Sequence, residues 1–190
     1  MPRPRAERPA VNAIHPRPAW VPSLQSAPSA RASAGIYRST KLYDHNEGLS
    51  CCFRQWRAES HCSLVHGYAL AFRFVFATRT LDERNWCMDF GGLKPVRAWL
   101  HEMFDHTMLI AADDPHLGEF QRLADLGLVA LRVVPAVGCE AVARFVCEHV
   151  GEMVAEATQH RVWLESVEVR EHSGNSAIFE RDVGDCRPHH

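Results

Sequence analysis

The sequence predicts an α+β domain: a four-stranded antiparallel sheet with two helices on one face. Strict alternation over residues 68–76 signals a long strand, with Tyr68, Leu70, Phe72, Phe74 and Phe76 on one side and Ala69, Ala71, Arg73, Val75 and Ala77 on the other. Two central stretches instead repeat apolar residues every three to four positions, the period of a helix. Two further extended stretches near the C-terminus are split by Ser173-Gly174. The expected order is β-β-α-α-β-β, two hairpins separated by a helix pair.

Residues 1 to about 35 carry Pro2, Pro4, Pro9, Pro16, Pro18, Pro22 and Pro28 among Arg, Ala and Ser. That mixture fixes φ repeatedly and offers little to bury, so 1–35 is expected to be a disordered tail. Its Arg-rich, acid-poor character also resembles a transit peptide, although a plain flexible arm or an over-extended start is the preferred reading. The folded domain is expected over 36–182, with a flexible tail at 183–190. Within it, Gly48 to Trp56 is short and apolar between polar flanks, which suits a strand. Asp82 to Asn85 supplies a turn, and Trp86 to Phe90 reads as extended. Pro95 suits a first helical turn, and Leu93, Val96, Leu100 and Phe104 define a helix over about 93–104. A second helix follows Gly138, with Val142, Phe145, Val146, His149, Val150 and Met153 as its stripe and Glu140 near its N-terminus. Val162 to Glu171 and Asn175 to Phe179 are the last two strands.

Composition narrows the function. A formal charge of −2 and a pI near 6.6 give neither the basic field that nucleic acid requires nor a polybasic run for a membrane surface. Small molecules and other protein chains are therefore the expected partners. Seven cysteines, at 51, 52, 62, 87, 139, 147 and 186, form no C-x-x-C pair, so neither a disulfide framework nor a zinc ribbon is indicated. A reducing cytoplasm is the expected compartment. No apolar run reaches the roughly 18 to 20 residues that span a bilayer.

Four short motifs carry chemistry. Cys62-Ser63-Leu64-Val65-His66-Gly67-Tyr68 opens the long strand, Asp89-Phe90-Gly91-Gly92-Leu93-Lys94 enters the first helix, Asp105-His106 ends it, and Val169-Arg170-Glu171 lies on the penultimate strand. Each is weak alone. Together, in this order and spacing, they resemble the 6-pyruvoyl-tetrahydropterin synthase / 6-carboxytetrahydropterin synthase family, matching its Cys followed by His-Gly-His, its Asp-Phe-x-x-Leu-Lys, its Asp-His pair and its pterin-anchoring glutamate. The resemblance implies the tunnelling fold, in which several chains join their sheets into a closed barrel with active sites between subunits. Closure would also remove exposed strand edges, a physical reason for a homo-oligomer.

The resemblance further implies roles. Glu171 would accept two parallel N–H bonds from the 2-amino-4-oxopyrimidine edge of a pterin; the alternative is a solvated strand-end carboxylate. Cys62 would be a proton-transfer group, or else a small, partly buried apolar residue. His106 would shuttle a proton while Asp105 orients its ring; a solvated helix stop is the alternative. Glu140 is a substrate-site candidate by its match to a helix-start glutamate, and an ordinary acidic first-turn residue otherwise.

Zinc is the cofactor the resemblance implies, and here the chain departs from the pattern. The family's first strand ends Phe-Ser-Ala-Ala-His and its second begins His-Gly-His, giving three imidazole ligands. Here Phe53 aligns with the first and Tyr68 with the last, leaving His66, with His61 and Cys51 as possible substitutes. Cys51 would need a bulge to serve, because strand residues two apart are separated by roughly 7 Å. The implied activity is a lyase acting on 7,8-dihydroneopterin triphosphate, in the 6-carboxytetrahydropterin branch that feeds queuosine-type deazapurine synthesis. A pterin-binding ring that is non-catalytic or metal-independent, or a 6-pyruvoyl-tetrahydropterin synthase-like activity, is the alternative.

Overall fold

The computed structural model describes residues 35–182, so the expected tails fall outside the described residues. The strands are β1 (Tyr37–Tyr43), β2 (Ser50–Phe53), β3 (His66–Ala69), β4 (Ala71–Thr78), β5 (Thr107–Ala111), β6 (Ala130–Val134), β7 (Val162–His172) and β8 (Asn175–Glu180). The α-helices are α1 (Lys94–Phe104), α2 (Leu117–Asp125) and α3 (Cys139–Ala157).

The first sheet runs β1-β4-β7-β8 and is antiparallel at every pairing, the expected four-stranded architecture. Alternation on β4 sends Phe72, Phe74 and Phe76 to one face, where all three are fully buried. Leu100 and Phe104 of α1 and Val146, Val150 and Val154 of α3 close over that face. Burial of such side chains stabilises by about 1.5–3 kcal/mol each, so this layer is the main core. Trp99 joins the helices, with its ring 5.8 Å from Phe145 and stacked 4.2 Å from His149. The start of α1 is set locally: the Asp89 carboxylate accepts from the Gly91 N–H at 2.8 Å, and Pro95 fills the first turn, where a missing N–H costs nothing.

The membership of that sheet differs from expectation. The alternating run breaks at Leu70, whose N–H donates to the Leu49 carbonyl at 3.0 Å. Residues before the break, as β3, pair with β2; residues after it, as β4, pair with β1 and β7. β2 therefore leaves the first sheet, and β1, whose sequence is mostly polar, takes the expected place. Alternation reports which side a residue faces and not which strand it pairs with, so the switch left no trace in the period.

A second sheet, ordered β3-β2-β5-β6, was not expected. Its β2–β5 and β5–β6 pairings are parallel, with α2 as the crossover between β5 and β6. Every residue of β5 is buried. A continuous apolar run is what a strand covered on both faces requires, and it has no period of two. Phe120 of α2 covers Met108 and Ile110 in a second, smaller core. The expected extended piece at Trp86 to Phe90 is a loop folded on the Asp82 carboxylate, which accepts from the Trp86 N–H at 2.8 Å. No helix among the described residues is long and apolar enough to cross a membrane.

Candidate functional site

The β2–β3 hairpin sets the first group of candidate residues. Its register places Phe53 opposite His66 and Cys51 opposite Tyr68. Ring centroids lie 5.0 Å apart for Phe53 and His66, 5.8 Å for His66 and Tyr68, and 6.4 Å for Phe53 and Tyr68. His172, from the end of β7, approaches Tyr68 to 5.9 Å. Gly67 is required at the centre of this pairing, since a Cβ there would meet the Cys51 carbonyl oxygen at 2.7 Å. The Nδ1 of His66 lies 2.8 Å from the Leu64 carbonyl, which assigns the ring proton to Nδ1.

This cluster does not fit a zinc ion. Phe53 is 1% exposed and offers no donor atom. Among the described residues, no three His, Cys, Asp or Glu side chains are arranged to hold a metal. His61, in the short 3-10 turn His61–Ser63, does not complete a set with His66. The Cys51 thiol is pushed up to about 12, first by burial and then by the nearby Cys52 and Cys139, which opposes the thiolate that zinc needs.

Glu171, Glu140 and Cys139 form the second group, where the end of β7 meets the first turn of α3. Burial, then the charges of Glu171 and Glu140, raise the Cys139 thiol to about 12, and Glu171 also hydrogen-bonds it. Two carboxylates from distant parts of the chain thus share one neighbour. Gly138 precedes the helix at φ 99°, and a Cβ there would lie 2.8 Å from the Gln55 side-chain nitrogen. Beside it opens a cleft of about 400 Å³ lined by Gln55, Trp56, Arg57, Val137 and Glu140. Its wall is braced from the β5–α2 loop: Asp113 accepts from Trp56 Nε1 at 3.2 Å and from Arg57 at 2.6 Å, while the buried Asp114 lies 3.1 Å from Arg54. Gln55 and Cys139 were not singled out as site residues from the sequence, because nothing local marks a contact across the fold.

Asp105 and His106 form the third group. Asp105 ends α1, and His106 turns the chain into β5 with φ 55°, a left-handed conformation that costs a non-glycine residue about 1–2 kcal/mol. Its N–H donates to the Ser50 carbonyl at 2.8 Å, which fixes that turn. The Asp105 carboxylate bonds His106 Nδ1 at 2.5 Å, and this bond, followed by one from His101, holds its carboxyl below the usual range. The His106 side chain is 90% exposed. It borders an open cleft of about 430 Å³ with Ser50, Cys52, Gly67 and Leu128.

Cys62 is partly buried in the 3-10 turn before β3, and its carbonyl accepts from the Gln55 N–H at 2.9 Å. β3 begins with His66 opposite Phe53 at one end of β2, whereas His106 bonds Ser50 at the other end. Three strand steps correspond to about 10 Å. A single chain therefore does not bring Cys62 to the Asp105–His106 pair.

The fold is that of the tetrahydropterin synthases, with α1 and α3 on an antiparallel sheet and a carboxylate from β7 at the start of α3. The chain belongs to the 6-pyruvoyl tetrahydropterin synthase family, whose model matches residues 43–182. Members of that family are lyases that act on small pterins. The 6-carboxy-5,6,7,8-tetrahydropterin synthase of Aquifex aeolicus is 26% identical over 113 residues, 58% of this chain and 69% of that protein. The enzyme of the same name from Rickettsia bellii is 27% identical over 62 residues, 32% of this chain and 45% of that protein. An uncharacterized protein from Wolinella succinogenes superposes with a TM-score of 0.67 at 20% identity, covering 78% of this chain and 100% of that one. A Plasmodium vivax 6-pyruvoyltetrahydropterin synthase gives 0.58 at 12% identity, covering 78% and 99%. At these identities the structural likenesses establish the fold.

Proposed function

We propose that this chain is a 6-carboxytetrahydropterin synthase-like lyase acting on 7,8-dihydroneopterin triphosphate, in a route to queuosine-type deazapurines. The observation that carries this reading is the convergence of Glu171 and Glu140 on Cys139 at the start of α3. A carboxylate held there can accept two parallel N–H bonds from a pterin edge, and a site built for that pair discriminates against ligands lacking the donors. Cys62 and the Asp105–His106 pair would move protons. Because one chain separates them, the complete site would form between copies, Cys62 from one and His106 from its neighbour. The open edges of β1 and β8, with Tyr37, Leu42 and Ile178 exposed, support assembly by edge-to-edge pairing into a barrel.

No step in this scheme passes through a metal. A second reading, a non-catalytic pterin-binding ring, is favoured by one observation: the Phe53–His66–Tyr68 aromatic cluster where the resemblance expects zinc ligands. Incubation of chelator-treated protein with 7,8-dihydroneopterin triphosphate, followed by mass analysis of products, separates the two. Release of triphosphate and a new pterin product is expected. Binding without turnover would instead support the ring.

A further inference from the structure

The geometry points to His101, backed by Glu47, as the positioning residue of the Asp105–His106 pair. The kinetic consequence rests on the proposed role of His106, but the structural consequence does not. The two oxygens of Asp105 are divided between two imidazoles: Oδ1 bonds His106 Nδ1 at 2.5 Å, and Oδ2 faces His101 Nδ1 at 3.4 Å. His101 is one turn back on α1, and its carbonyl also accepts the Asp105 N–H at 3.0 Å. The same residue therefore holds Asp105 by backbone and by ring. Beyond it, His101 Nε2 lies 3.7 Å from Glu47 Oε2, and that oxygen accepts from Arg97 Nε at 2.8 Å.

The result is an alternating series, Arg97, Glu47, His101, Asp105 and His106, that ties the exposed imidazole to α1 and to the β1–β2 connection. Exposure decides why the inner members are needed. Side chains of Glu47, His101 and Asp105 are 23%, 33% and 34% exposed, against 90% for His106. An exposed acid–imidazole pair holds its geometry poorly, because both side chains must give up rotational freedom in a strongly screening solvent. A carboxylate with only one partner would also turn about its last torsion, which is broad. With Oδ2 engaged by His101, Oδ1 is committed to His106 Nδ1, and the proton there leaves Nε2 as the nitrogen available to a ligand.

The test uses three variants of the full-length protein. His101→Asn keeps a donor near the Nδ1 position, His101→Gln places its amide near Nε2 instead, and His101→Leu removes both. Ring ¹⁵N shifts of His106 report its tautomer without any substrate. The Nδ1–H form is expected in the natural protein and in His101→Asn, with a mixed population in His101→Leu and His101→Gln. On 7,8-dihydroneopterin triphosphate, His101→Leu is expected to lose about 10²-fold in kcat, as a displaced catalytic group does, with KM changed less than about twofold. His101→Asn should recover most of that loss. Should His101→Leu fail to fold, Glu47→Gln probes the same link from its other end and should also mix the tautomers. An unchanged His106 tautomer in folded His101→Leu or Glu47→Gln would overturn the assignment, as would equal losses in the Asn, Gln and Leu variants. If the natural protein turns over no substrate, the proposed reaction fails while the tautomer measurement still decides the role of His101.

Discussion

At the scale of residues, the contacts that define the candidate site join groups far apart in sequence. Cys139 and Glu171 illustrate the point: burial first, then the charges of Glu171 and Glu140, raise the thiol to about 12, whereas a free cysteine ionises near 8.5. The folded value is the higher one, so the contribution to stability is complete below about pH 8.5 and is lost as pH rises toward 12. Glu171→Gln removes one of the two anions and should lower the Cys139 value. Alkylation of Cys139 at pH 8, followed by peptide mass analysis, is therefore expected to accelerate in the variant at unchanged melting temperature. An unaltered rate would separate Glu171 from Cys139. The chain pattern displayed Glu171, Glu140 and Asp105-His106, because those signals are short and local. It could also have displayed His101, four residues before Asp105 on a predicted helix, since that spacing puts both on one face. The Cys139–Glu171 contact had no such signal.

Elements were legible in proportion to their periodicity. α1, α3, β7 and β8 fall close to the positions their patterns predict, because each buries one face against a single layer. β5 and β6 carry no alternation, and the break at Leu70 divides a run whose alternation is continuous across it. The register of β2 against β3 sets the aromatic cluster, since it juxtaposes Phe53, His66 and Tyr68. Gly67 permits that register. Gly67→Ala would bring a Cβ to 2.7 Å from the Cys51 carbonyl oxygen, so the two strands must part locally. The expected result is a loss of about 1–3 kcal/mol in urea unfolding, in the range of overpacked sites, with faster amide exchange confined to β2 and β3. An unperturbed variant would mean that the hairpin yields at no cost and does not fix the cluster.

For the whole molecule, the sheet edges and the separation of Cys62 from His106 both favour a site completed by a neighbouring copy, and the aromatic cluster favours a site without zinc. The functional reading itself rests on a separate, central claim: that Glu171 anchors a pterin. Calorimetric titration of chelator-treated, full-length protein with 7,8-dihydroneopterin tests this most directly, with Glu171→Gln titrated in parallel. The account predicts saturable binding in the natural protein and a loss of about 10²-fold or more in the variant, because an amide N–H would face the donors of the ring while the fold stays intact. Absence of binding to the natural protein, or equal affinity in Glu171→Gln, would contradict it.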